Sequence, residues 1–241
     1  MFCAGVAFIL PVLEGGHAVD WFPLFNSLRI AAVSSVLVFF AGIAAAYYAA
    51  RLPRMLKGAL DVVLTLPLVL PPTVVGYFLL LLFGSRRPLG MALESIGVRF
   101  VMTWYGGVAA AAVVAFPLLY RTARGAFEAF DETLAQAGQT LGLSNTYIFW
   151  RIRMPACRQG IFAGVVLAFA RALGEYGATS MLIGYTPGRT ATISTTVYQL
   201  WRTGDDRAAF VWVLVNLAIS AAVLCTVGML ERKQRKGVRR A

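Results

Sequence analysis

Residues 30–50 read IAAVSSVLVFFAGIAAAYYAA, with no Asp, Glu, Lys or Arg in the run. A helix rises about 1.5 Å per residue and needs roughly 20 apolar residues to cross ~30 Å of hydrocarbon, so this run is long enough to span a bilayer. Three more windows are equally free of charge, at 62–85, 100–120 and 208–230, and a fifth, from near Gln159 to near Gly177, is interrupted only by Arg171 and Glu175. Five such runs in 241 residues predict an all-α, polytopic integral membrane protein with a five-span core. Composition agrees: the chain is 59% hydrophobic and 14% charged, where soluble proteins carry about 25% charged residues, and its mean hydropathy is +0.71.

The ends divide off from this core. Residues 1–26 are an apolar lead-in, 27–231 the transmembrane domain and 232–241 a basic tail. The apolar stretch 1–13 is short for a crossing and has neither a basic flank nor an Ala-x-Ala site before Glu14, so it reads as an interfacial helix, with a tilted sixth span as the alternative. Basic residues are retained on the cytoplasmic side of a membrane. Three lie in 51–58, five in 121–158 and six in 231–241, against six in 84–99 and 178–207 together, which places the N-terminus outside and the C-terminus inside. The same asymmetry accounts for the net charge of +11 through topology and contact with anionic lipid, without a nucleic-acid partner. One histidine, His17, and three dispersed cysteines, Cys3, Cys157 and Cys225, offer no metal-ligand spacing and no disulfide framework.

The connection 121–158 carries the strongest internal pattern. Phe127, Phe130, Leu134, Ala137 and Leu141 recur at helical spacing and predict one apolar stripe, with Glu128, Asp131, Glu132 and Gln139 off it. Gly142 stands where a helix C-terminus favours a left-handed residue, and Ser144 is placed to cap a second short helix through Ile148 and Trp150. Pro155 is expected to push Met154 out of helical geometry and to open the next span. The pattern is helix, Gly turn, helix below the bilayer: either a hairpin that ties two spans together or a docking knuckle.

The spelling of this loop favours the knuckle. Gln136-Ala137-Gly138, three residues, Gly142, nine residues, then Ile152-Arg153-Met154-Pro155 resembles the EAA loop of ABC importer permeases, Glu-Ala-Ala-x3-Gly-x9-Ile-x-Leu-Pro, with Gln136, Gly138 and Met154 as departures. The resemblance implies that the loop docks into a groove on a separate ATP-hydrolysing subunit, with Gly142, Leu143, Ser144 and Tyr147 in the contact knuckle. Two further stretches, residues 66–77 (LPLVLPPTVVGY) and 167–179 (LAFARALGEYGAT), look like the membrane subunit of bacterial molybdate importers, with tungstate and sulfate permeases as close relatives. That family implies a homodimer in the bacterial cytoplasmic membrane, two ABC ATPase subunits that hold ATP and Mg, and a substrate-binding protein outside.

Within the spans, Pro67, Pro71 and Pro72 remove three amide donors, and broken backbone at membrane depth survives only where protein or a water-filled cavity satisfies it. This segment either lines the route or is a kink packed on a neighbour; Gly76 permits close approach in both cases, and Thr73 offers its hydroxyl to an anion or to its own backbone. Arg171 and Glu175 are four apart and so share a helical face, where an unpaired charge costs ~2.5–3.5 kcal/mol or more. They form either a structural clamp or, through Arg171, a stepping stone for an anion. Gly174 and Gly177 are expected to leave the same helix thin on one side, for close packing or a gate. No Gly-x4-Gly-Lys-Ser/Thr loop occurs, so ATP binding and enzyme activity are assigned to another polypeptide. A secondary transporter would need an ion-linked carboxylate, for which Glu175 is the one candidate, and an intramembrane enzyme would need a catalytic constellation that the sequence does not contain.

Overall fold

A computed structural model of the protein describes residues 20–238, with side chains through residue 225. The stretch 1–13 with Cys3, and His17, lie outside the described residues. The described chain is helical: α1 Phe22–Ala50, α2 Arg54–Val69, α3 Pro72–Phe83, α4 Pro88–Ser95, α5 Trp104–Glu128, α6 Glu132–Thr140, α7 Asn145–Ile148, a π turn Phe149–Arg153, α8 Met154–Leu173, α9 Gly177–Ile183, α10 Ile193–Arg202 and α11 Asp206–Val238.

Small residues set how closely the central helices approach. Ala110, Ala111, Val114 and Ala115 of α5 are buried against α1, and a Cβ added at Gly107 would lie 2.7 Å from Ile30, one at Gly42 3.0 Å from Leu119. Close backbone approach through such residues is how membrane helices gain dispersion energy when lipid is as apolar as their side chains. The pairing 30 with 107 and 42 with 119 makes α1 and α5 parallel, whereas Gly160 against Ala126 and Gly164 against Leu119 make α8 antiparallel to α5. At the end that the charge rule assigns to the outside, Asn26 donates to the Ala191 carbonyl (2.9 Å), Ser27 accepts from the Ile193 amide (2.9 Å) and the Arg29 guanidinium lies 3.6 Å from the centre of the Trp104 ring.

The window 62–85 is not one helix. It holds the end of α2 and all of α3, bent by 111° at Leu70 and Pro71, because Pro71 and Pro72 supply no N–H to carry the ladder across. Lys57 pairs with Glu128 at the far end of α5, while Phe83 stacks on Phe100 (4.5 Å between ring centres) beside the start of α5. The bent pair therefore runs from one end of the bundle to the other and counts as a broken crossing, which with α1, α5, the helix Asn145–Leu173 and α11 makes five among the described residues.

Helix ends also differ from the charge-free windows. α5 continues to Glu128 and the return helix starts at Asn145, so the connection 121–158 is mostly helix from the flanking spans. The predicted single stripe from Phe127 to Leu141 is cut at Ala129–Asp131. Phe127, Phe130 and Ala135 are buried, but Leu134, Ala137 and Leu141 are exposed, and the inward face of α6 is Ala135 and Gly138. Met154 is helical (φ −60°, ψ −46°), contrary to expectation. Its amide reaches the Phe149 carbonyl five residues back, and this wider π turn gives the Pro155 ring the room that an α turn would deny it.

Candidate functional site

Two regions gather the residues singled out by sequence. The first is the knuckle at the end of the bundle that carries Arg51, Arg54, Lys57 and Arg124. Asp131 starts it: its carboxylate accepts from the Thr133 amide (3.0 Å), capping α6, and the Thr133 side chain first, then its amide, hold the carboxyl below the usual range. At the other end of α6, Gly142 has φ +76°; its amide bonds to the Gln139 carbonyl (2.9 Å) and the Leu143 amide to the Gly138 carbonyl (3.1 Å). These two bonds with a left-handed glycine are a Schellman closure, so the helix stops where Gly142 permits it. A Cβ at Gly142 would meet nothing within 4 Å, which makes the requirement one of backbone conformation alone. Ser144 then accepts from the Tyr147 amide (3.2 Å) and caps α7, and Gln139 donates to Asn145 across the turn (3.1 Å).

Gly138, where the family pattern has alanine, lies under Ile148 and Ile152: an added Cβ would be 3.2 Å from each, so α6 rests here on the start of the return helix. Gln136, Ala137, Leu141 and Tyr147 face outward, Leu141 at 79% exposure, Leu143 and Ile152 are half-buried against the core, and Pro155 is exposed in the first turn of α8. Sequence reasoning missed the anchor that fixes this assembly. Arg153, 4% exposed, donates from both terminal nitrogens to the two carboxylate oxygens of Glu132 (2.7 Å each), and its guanidinium sits 4.4 Å from the Phe130 ring centre and 5.7 Å from that of Tyr47. The bonds from Arg153 hold the Glu132 carboxyl below its usual range. Both residues are visible in the sequence as charges flanking the loop; which one is buried is not.

The second region is the pair of helix breaks. Gly177 abuts the start of α3, where an added Cβ would be 2.8 Å from Pro72 Cβ and 3.1 Å from the Thr73 amide nitrogen. Gly76 abuts α9, with an added Cβ 2.8 Å from both Ala178 Cα and Met181 Cβ. Two stretches a hundred residues apart in sequence thus meet at glycines, and the outer half-helices α3 and α9 form one tight unit. Pro67 stays within α2 and lines an apolar hollow of about 270 Å³ with Val38 and Phe116, while Thr73 is exposed.

Arg171 and Glu175 pair within the chain (2.5 Å), but not along a helix, because α8 ends at Leu173 and Gly174 is its cap. Glu175, 4% exposed, stands in the break, where its other oxygen accepts from the Ala178 amide at the start of α9 (2.8 Å). One carboxylate so fastens the end of α8 to the beginning of α9, the geometry of a clamp. Gly174 and Gly177 do not share a helix, and only Gly177 is at a close contact.

The fold agrees with what this chain resembles among known proteins. Against the molybdenum transport system permease protein ModB of Escherichia coli K12 it is 39% identical over 219 residues, covering 90% of this chain and 96% of that one. Against the molybdenum transport system permease protein ModB of Haemophilus influenzae Rd it is 38% identical over 183 residues, covering 75% and 80%. A chain of the crystal structure of a bacterial ABC transporter involved in the import of the acidic polysaccharide alginate superposes with a TM-score of 0.71 at 17% identity, covering 93% of this chain and 82% of that one, which speaks for the fold alone. Residues 38–236 match the family model described as the binding-protein-dependent transport system inner membrane component, and the chain belongs to that family.

Proposed function

We propose that this protein is the transmembrane subunit of an ATP-driven importer that forms the pathway for an oxyanion, molybdate first, across the bacterial cytoplasmic membrane. Two copies line the pathway, an ATPase subunit docks beneath each knuckle and holds the ATP and Mg, and a substrate-binding protein delivers from outside. The observation that carries this reading is the knuckle: Leu134, Ala137, Leu141 and Tyr147 are presented outward on a turn that Gly142, Ser144 and the Glu132–Arg153 pair hold rigid. A rigid turn passes a push from a docked motor to α5 and α8, where a floppy loop would absorb it. Support for a second copy comes from α2, which has no buried residue within the chain although it belongs to a broken crossing.

For the anion, the pathway needs only weak attraction, because conduction requires release as well as entry. With Arg171 neutralised by Glu175, capture is left to the binding protein, and the clamp keeps the broken helices aligned. The test is uptake of labelled molybdate into proteoliposomes holding the permease, its ATPase and the binding protein. Uptake should require ATP and the binding protein; uptake driven by an ion gradient without ATP would overturn the proposal.

A further inference from the structure

Lys57 and Asp61 stand one turn apart on α2, and Tyr120, Arg124 and Glu128 one turn apart on α5, which runs antiparallel beside it. The rungs meet in register. Lys57 pairs with Glu128, Arg124 pairs with Asp61, the Tyr120 hydroxyl donates to the second Asp61 oxygen (2.5 Å), and Arg124 Nε lies 3.8 Å from Glu128. The four charged side chains are 21–34% exposed, sheltered enough for the pairing to carry weight and open enough for the charges to stay hydrated. Nothing in the coupling turn or the helix breaks uses this cluster.

Its position gives it a task. α5 leads through three residues into the knuckle, so the last turns of α5 move with it. α2 is the inner half of the broken crossing and has no fully buried residue; its apolar contact with the bundle is made by half-buried side chains such as Leu60 and Leu64, a thinner seam than the buried faces that hold α1 and α8 to α5. Beyond the break at Leu70 and Pro71, the outer half α3 is fastened elsewhere, to α9 through Gly76 and Gly177. With so thin an apolar seam, the ionic rungs are the directional link by which a displacement of the knuckle reaches the broken crossing, below a joint that permits the outer half to respond separately.

We infer that Lys57, Asp61, Arg124 and Glu128 are positioning residues for transport: a ladder that ties the inner half of the broken crossing to the helix bearing the coupling knuckle, so that ATP-driven movement is converted into opening of the pathway. The inference rests on the importer reading. Its test therefore begins with the complete complex in proteoliposomes, where ATP-dependent molybdate uptake by the unaltered protein establishes that reading separately. The measured quantity is molybdate carried per ATP hydrolysed. Asp61→Asn, which leaves Arg124 with only its longer contact to Glu128 on its own helix (3.8 Å) and so breaks the rung between helices, should lower this ratio by about fivefold or more, the scale of a coupling free energy between sites, while binding-protein-stimulated hydrolysis continues. The exchange of charges, Asp61→Arg with Arg124→Asp, should restore the ratio, which a role in folding alone would not predict once equal amounts of assembled complex are compared. If Asp61→Asn does not assemble, Glu128→Gln at the more exposed rung is measured in the same way. A ratio equal to that of the unaltered complex in the single variant, or no recovery on charge exchange, overturns the inference.

Discussion

Glu132→Ala and Arg153→Met break the same two hydrogen bonds, yet they should damage the knuckle unequally. Arg153 is 4% exposed between the Phe130 and Tyr47 rings, whereas the Glu132 side chain is 58% exposed. Removing Glu132 leaves a buried guanidinium without its counter-charge; for a fully buried pair this costs ~3–5 kcal/mol, and screening of the half-exposed carboxylate reduces it here to about 2 kcal/mol. Removing Arg153 returns Glu132 to water and relieves the desolvation of the guanidinium, so the loss of both bonds is offset to about 1 kcal/mol or less. The difference, about 1 kcal/mol, is roughly a fivefold difference in opening of the turn. Hydrogen exchange of the Gly142 and Leu143 amides reads it directly, because both are bonded inside the closure that the pair supports. Equal loss of protection in the two variants, or a larger loss with Arg153→Met, would refute the argument. Acid supplies an independent check. The Glu132 carboxyl is held below its ordinary value of 4.5, so its contribution is fully present above that value and is lost as pH falls through the lower value of the folded protein; protection should fade on acidification below 4.5 and not at neutral pH.

At Gly142 an added Cβ finds open space, so Gly142→Ala should cost only the left-handed backbone penalty of roughly 1–2 kcal/mol and Gly142→Asn less, with ATPase association measured on purified permease falling in that order. Gly76→Ala presses a methyl to 2.8 Å from Ala178 and Met181 and should destabilise the α3–α9 contact by about 1–3 kcal/mol, whereas Gly58→Ala, with nothing within 4 Å, should not; thermal unfolding in detergent separates the two. For Arg171 and Glu175, each single Ala variant should lower the unfolding midpoint and the double apolar variant should recover part of the loss; additive effects in a double-mutant cycle would defeat the clamp.

Sequence alone determined that this chain is a bundle of membrane-crossing helices, because a backbone in hydrocarbon must satisfy its own hydrogen bonds and the only cheap way is a helix about 20 residues long. It also determined the local chemistry of the turn, since the Gly142 closure and the Ser144 cap join groups three to five residues apart and need no distant partner. The stripe from Phe127 to Leu141 was misleading for the opposite reason: periodicity assumes an unbroken helix, and Asp131 competes for the backbone and restarts it. What only the tertiary structure decided were the pairings across distance. Glu132 with Arg153, Asp61 with Arg124, and Gly76 with α9 each join residues whose spacing along the chain carries no signal. Whether a charge on an exposed-looking loop is buried, or a glycine is a contact or a cap, depends on which other helix lies against it, and that is set by the packing of the whole bundle.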